Sequence, residues 1–192
     1  MTLMPCFGPH QAPAEGMPIG RLLAGYGELE VSMCSCLIAI EGQFDTPIRQ
    51  LFNERSAEKR IKESKKALTP EYTKAGLHIE LAEALQDMEW CRKIRNQYAH
   101  CQWYWTSKDG LCFVNLEELA KRPDTIENLM DNRHSIDVNM LDAQENYFSY
   151  VKECLTHLEF EYRRWNQPRS APQRSNLVFP KPSKITRPPW HN

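Results

Sequence analysis

The sequence has 192 residues, 41% of them hydrophobic and 26% charged, with a formal net charge of −1 at pH 7. That composition belongs to a soluble globular domain with extensions, long enough to bury a sizeable core. No apolar run approaches the length of a membrane span. Seven cysteines without a CxxC pair argue against a disulfide framework and a metal cluster, and for a reduced, cytoplasmic setting.

In chain order, residues 1–17 carry Pro5, Pro9 and Pro13 and read as a flexible leader, neither secretory nor transit-like. From Ile19 to Ile40, Leu22, Leu23, Tyr26, Leu29, Met33 and Leu37 keep helical spacing. Gly20, Gly25 and Gly27 weaken the start of this helix. Glu28 and Glu30 lie off the stripe, as solvated carboxylates or, for one of them, as an acid orienting an arginine across a bundle. Thr46-Pro47 is a helix-start signature. Ser56 is placed to cap a helix through Ala67, whose Lys59, Arg60, Lys62, Lys65 and Lys66 either face solvent or grip a phosphate backbone. Thr69-Pro70 repeats the start signature and predicts one long central helix to about His100, with Leu81, Leu85, Met88, Cys91, Ile94 and Tyr98 as its buried stripe.

After His100 the period becomes two. Trp103, Trp105, Leu111 and Phe113 flank Lys108-Asp109-Gly110, which predicts a hairpin turned at Asp-Gly. Asn115 caps a short helix that Pro123 stops, and Ile126, Leu129 and Met130 make another short helical piece. Asp137 caps a last helix to about Trp165, expected to pack antiparallel to the central one. Residues 166–192 are proline-rich and contain no acid, while Arg163, Arg164, Arg169, Arg174, Lys181, Lys184 and Arg187 add positive charge. They read as a disordered basic tail, open to nucleic acid, to an acidic partner or to the acidic body of its own chain.

The chemistry concentrates at the end of the central helix, where Arg95-Asn96 is followed by Ala99-His100. An arginine, four residues and a histidine, with a polar residue directly after the arginine, late in a long helix of a mostly helical chain, resembles the HEPN superfamily over residues 18–165. The resemblance implies a mainly α fold: a helical bundle, here with a small β-hairpin after the motif helix. It also implies a homodimer that acts on RNA as a metal-independent endoribonuclease with no cofactor. Many such proteins serve in toxin–antitoxin or other defence systems, where an antitoxin or other protein partner is expected. The residues that would carry catalysis are Arg95, Asn96 and His100.

Spacing constrains how they act. Five residues turn an ideal helix through about 500°, leaving Arg95 and His100 about 140° apart, whereas Asn96 and His100 share a face. Convergence on one phosphate therefore needs fraying near Ala99 or completion of the site by a second subunit. There His100 would be the general acid–base, Arg95 would stabilise charge at phosphorus, and Asn96 would orient His100 or hold a phosphate oxygen. Tyr98, Trp103 and Trp105 are candidate nucleobase platforms, and Arg169 and Arg174 candidate RNA contacts. Core packing is the other role open to the aromatics, and helix capping the other role open to Arg95 and His100. A nucleophilic pairing of Cys91 or Cys101 with His100 has no orienting third group. An alternative from a different class is a non-catalytic helical dimerisation module that binds RNA or a protein partner.

Overall fold

The computed structural model describes residues 12–106, 110–167 and 179–189. Its elements are α1 (Pro13–Glu41), α2 (Asp45–Phe52), α3 (Ala57–Lys74), α4 (His78–Ala99), β1 (Cys101–Thr106), β2 (Gly110–Asn115), α5 (Leu116–Leu119), a 3-10 turn (Leu129–Asn132), β3 (His134–Ser135) and α6 (Val138–Trp165). The protein is mainly helical, with one small antiparallel sheet in the order β1-β2-β3.

Several elements follow from local chemistry. The Ser56 hydroxyl accepts from the Lys59 N–H at 3.4 Å and starts α3. Asn115 Oδ1 accepts from the N–H groups of Glu117 and Glu118 and starts α5, and Asp137 Oδ1 accepts from the Asn139 N–H at the start of α6. α2 begins at Asp45 with Phe44 at its cap, two residues before the expected cap Thr46, whose hydroxyl accepts from Gln43 Nε2 inside the first turn.

Three expectations are corrected. α1 begins at Pro13 and includes Pro18, so residues 13–17 belong to a helix and not to a leader; residues 1–11 lie outside the described residues. Over Ala14–Glu41 this helix is long and apolar enough, by length and composition alone, to cross a bilayer, which the sequence reading had denied; half of its most apolar window is buried inside the protein. The single central helix is two helices. Thr69-Pro70 lies inside α3, flanked by the fully buried Leu68 and Tyr72. The break comes at Gly76, with φ +75°. There the Gly76 N–H bonds Thr73 O and the Leu77 N–H bonds Tyr72 O, a Schellman pairing that ends α3 and starts α4.

The chain divides into two compact units. The first holds Met1–Gly25, Lys93–Tyr147 and Pro188–Asn192, and with them the sheet. β1 and β2 pair from Cys101↔Asn115 to Thr106↔Gly110, as the predicted hairpin requires, with residues 107–109 of its turn outside the described residues. β3, which was not anticipated, pairs Phe113 with His134. Tyr104, Cys112 and Val114 pack with Leu119 and Met130 on one face. On the other, Phe113 meets Tyr98, Trp103 and His134. Leu111 to Asn115 are consequently all buried, so β2 reads as a continuous apolar run and not as an alternation.

The second unit holds Tyr26–Arg92 and Phe148–Arg187. Here α1 runs parallel to α6: Glu28 pairs with Lys152, and further along Cys36 Sγ donates to Leu155 O at 3.4 Å. α4 runs antiparallel to α6, as expected, with Glu80 near His157 and Asp87 near Tyr150. Tyr72 of α3 stacks on Tyr162 of α6 at 4.8 Å. Leu29, Met33, Leu68, Leu81 and Met88 are almost fully buried, and such a side chain stabilises the fold by about 1.5–3 kcal/mol. The basic run of α3 splits: Lys59, Lys62, Lys65 and Lys66 face solvent, whereas Arg60 turns inward to Glu30 at 2.7 Å.

Residues 179–189 form no regular structure, as their prolines require. They are nonetheless not a disordered tail, because they are bonded to the body along their length.

Candidate active site at the end of α4

α4 ends at Ala99, and the His100 N–H still bonds Asn96 O at 3.2 Å. His100 is thus the first residue past the helix, its backbone N–H still held by the last turn. Its imidazole is exposed, and Nδ1 stands 3.7 Å from Glu117 Oε1. One turn back, the Arg95 guanidinium donates from Nη1 to Asn96 Oδ1 at 2.8 Å. Asn96 thus contacts both Arg95 and His100: its side-chain oxygen accepts from Arg95 and its carbonyl oxygen accepts from the His100 N–H.

The remaining predicted residues separate. Tyr98 is only 1% exposed. Its hydroxyl donates to Gln144 Oε1 at 2.8 Å, and its ring lies against Trp103 and Phe113. Burial pushes its phenol above the ordinary tyrosine range, so it is a neutral core residue and not a nucleobase platform. Trp103 is half-buried and packed on Phe113 at 5.4 Å. Trp105 is exposed on the edge strand β1. Arg169 and Arg174 lie outside the described residues.

Glu28 pairs with Lys152 and Glu30 with Arg60. The carboxylate that does approach the motif, Glu117, was missed by sequence reasoning. Its signal was the Asn115 cap, which directs the first turn of α5 back along β2 to the strand end opposite Cys101. Neither cysteine that the sequence offered as a partner for His100 is a nucleophile at neutral pH. Burial raises the Cys101 thiol to about 12 and holds Cys91 well above its usual value. Among the described residues no group of His, Cys, Asp and Glu side chains could hold a metal ion.

One more contact was not foreseen. Gln144, fully buried, accepts from Tyr98 and donates from Nε2 to Pro189 O at 2.9 Å. The far end of the tail is thereby tied to the side chain that anchors the last turn of α4. Against known proteins, no family model, no curated protein and no solved structure matches this chain.

Proposed function

We propose that the protein is a metal-independent endoribonuclease of HEPN type, acting as a cytoplasmic homodimer, in the manner of a toxin or defence effector that an antitoxin or other protein partner would control. The observation that carries this reading is the pairing of Arg95 with Asn96 beside a His100 whose imidazole is exposed at the helix end, within reach of a carboxylate. In the reaction, the ribose 2′-oxygen attacks the adjacent phosphorus while the bond to the 5′-oxygen breaks. The proton lost from the 2′-hydroxyl is taken up, and the leaving oxygen is protonated. In each site His100 performs one of these transfers and solvent water the other, with the Glu117 carboxylate 3.7 Å from the imidazole. Arg95 offers its planar fork of donors to the negative charge that builds on phosphorus. The products are a 2′,3′-cyclic phosphate and a 5′-hydroxyl. Exposed Trp105 is the aromatic best suited to hold a base of single-stranded RNA.

Total RNA or tRNA incubated with the protein in excess chelator should be cleaved, and His100→Ala should abolish the cleavage. Wild type inert under all conditions would favour the second reading, a non-catalytic helical module that binds RNA or a protein. Because an ideal helix would set Arg95 and His100 about 140° apart, a site shared between subunits makes a further prediction. Inactive Arg95→Ala and inactive His100→Ala chains, mixed and allowed to exchange, should regain activity, since one of the two composite sites is then complete. Failure to regain it, with exchange demonstrated, would place both groups in one chain's site.

A further inference from the structure

We propose that the acidic groove along α4 and α6 is a recognition site for an extended, basic, proline-containing segment of a partner protein, which residues 179–187 of the chain occupy as an intramolecular stand-in. At one end the Phe179 ring stacks on Phe160, 3.9 Å between centroids and 18° from parallel. The Phe179 carbonyl oxygen accepts from His157 Nδ1 at 2.7 Å. From there every third residue is a cation on an acid of α4: Lys181 on Glu80 at 3.2 Å, Lys184 on Glu83 at 3.1 Å and Arg187 on Asp87 at 2.7 Å. A repeat of three is the natural period of proline-rich extended chain, and spacings of three and four keep Glu80, Glu83 and Asp87 on one helix face. The guanidinium of Arg187 also lies 5.7 Å over the Trp90 ring.

These contacts are those of a bound peptide. No backbone ladder joins 179–187 to either helix. The firm points are one stacked ring and one guanidinium on a nearly buried carboxylate, Asp87 being 7% exposed on its side chain. The lysines between them are largely exposed, and such pairs contribute little individually. The fit is close: Lys181 and Pro182 leave a cleft of only about 20 Å³ beneath them, room for about one water. Chemistry selects the class of occupant. Three carboxylates repel nucleic acid and acidic peptides, the Phe160 face takes a ring, and the histidine reads a main-chain carbonyl. Being part of the same chain, the tail is at high effective concentration, so a partner must outcompete it.

The test uses the full chain and a fluorescent peptide with the sequence of residues 179–189. Binding should be weak to wild type and at least tenfold tighter to Lys181→Glu/Lys184→Glu/Arg187→Glu, whose own tail is expelled. Adding Asp87→Asn to that triple variant should lose the gain. No binding to a triple variant that keeps wild-type helical circular dichroism would overturn the proposal, as would equal binding to both proteins. Should the triple variant not fold, hydrogen exchange on wild type decides: excess peptide should accelerate exchange across 179–187. Unchanged exchange, or acceleration by an RNA oligonucleotide and not by the peptide, would contradict it.

Discussion

The two ends of α4 treat their polar side chains in opposite ways. Along its first half, Glu80, Glu83 and Asp87 each meet a cation of the tail, and His157 facing them is fixed by a 2.7 Å bond to a carbonyl oxygen. At its last turn Asn96 gathers Arg95 and His100, yet the His100 ring is exposed, with a carboxylate at 3.7 Å, beyond a hydrogen bond. A histidine bonded at close range is spent on structure. One that is exposed, with a carboxylate at 3.7 Å, remains available for proton transfer. Two histidines of one chain thus teach which surroundings to look for.

Removing each set of groups should break the protein in different ways. The largest effect expected is on activity: His100→Ala should cut RNA cleavage by at least about 100-fold, while thermal unfolding shifts by no more than about 0.5 kcal/mol, as for an exposed side chain. Tyr98→Phe should act on the fold, since it strips Gln144 Oε1 of a buried donor at a cost of about 1–3 kcal/mol by denaturant titration. Arg187→Ala leaves the Asp87 carboxylate buried without its guanidinium. Because Arg187 itself is 37% exposed, the loss should be about 1–2 kcal/mol, short of a fully buried pair. Gly76→Ala should cost about 1 kcal/mol, and through backbone conformation alone, because an added Cβ meets nothing within 4 Å.

The smallest effect is a pH dependence. Glu80 lies below its ordinary value of 4.5, through a bond to its own backbone N–H first and Lys181 second, with His157 adding to the shift. A depressed carboxylate stabilises the folded state above its unfolded value and loses that contribution as pH falls through the folded one. Attachment of the tail, followed by hydrogen exchange over 179–187, should therefore hold at neutral pH and weaken below about 4.5. Constant protection to lower pH would show that the Lys181 pair contributes nothing.

Much of the helical architecture was legible because its determinants are local. The stripes of α1, α4 and α6 and the caps at Ser56, Asn115 and Asp137 each depend on residues within a turn of one another. Local signals misled where burial outweighed them. Pro70 costs α3 a backbone bond, but Leu68 and Tyr72 beside it are fully buried, so the helix continues to Gly76. The tail's composition correctly announced the absence of helix and strand. It could not announce that Lys181, Lys184 and Arg187 stand at the spacing that meets three acids a hundred residues earlier. The site was legible in part for the same reason. Arg95, Asn96 and His100 sit on one helix end, whereas Glu117 reaches them through the pairing of β1 with β2.

The most direct test of the account is the end chemistry of a single cleavage. A defined single-stranded RNA oligonucleotide, incubated with the full chain in chelator, should yield fragments ending in a 2′,3′-cyclic phosphate and beginning with a 5′-hydroxyl, and His100→Ala should yield none. Fragments with a 3′-hydroxyl and a 5′-phosphate, or an intact oligonucleotide with wild type, would contradict the assignment of His100 to catalysis.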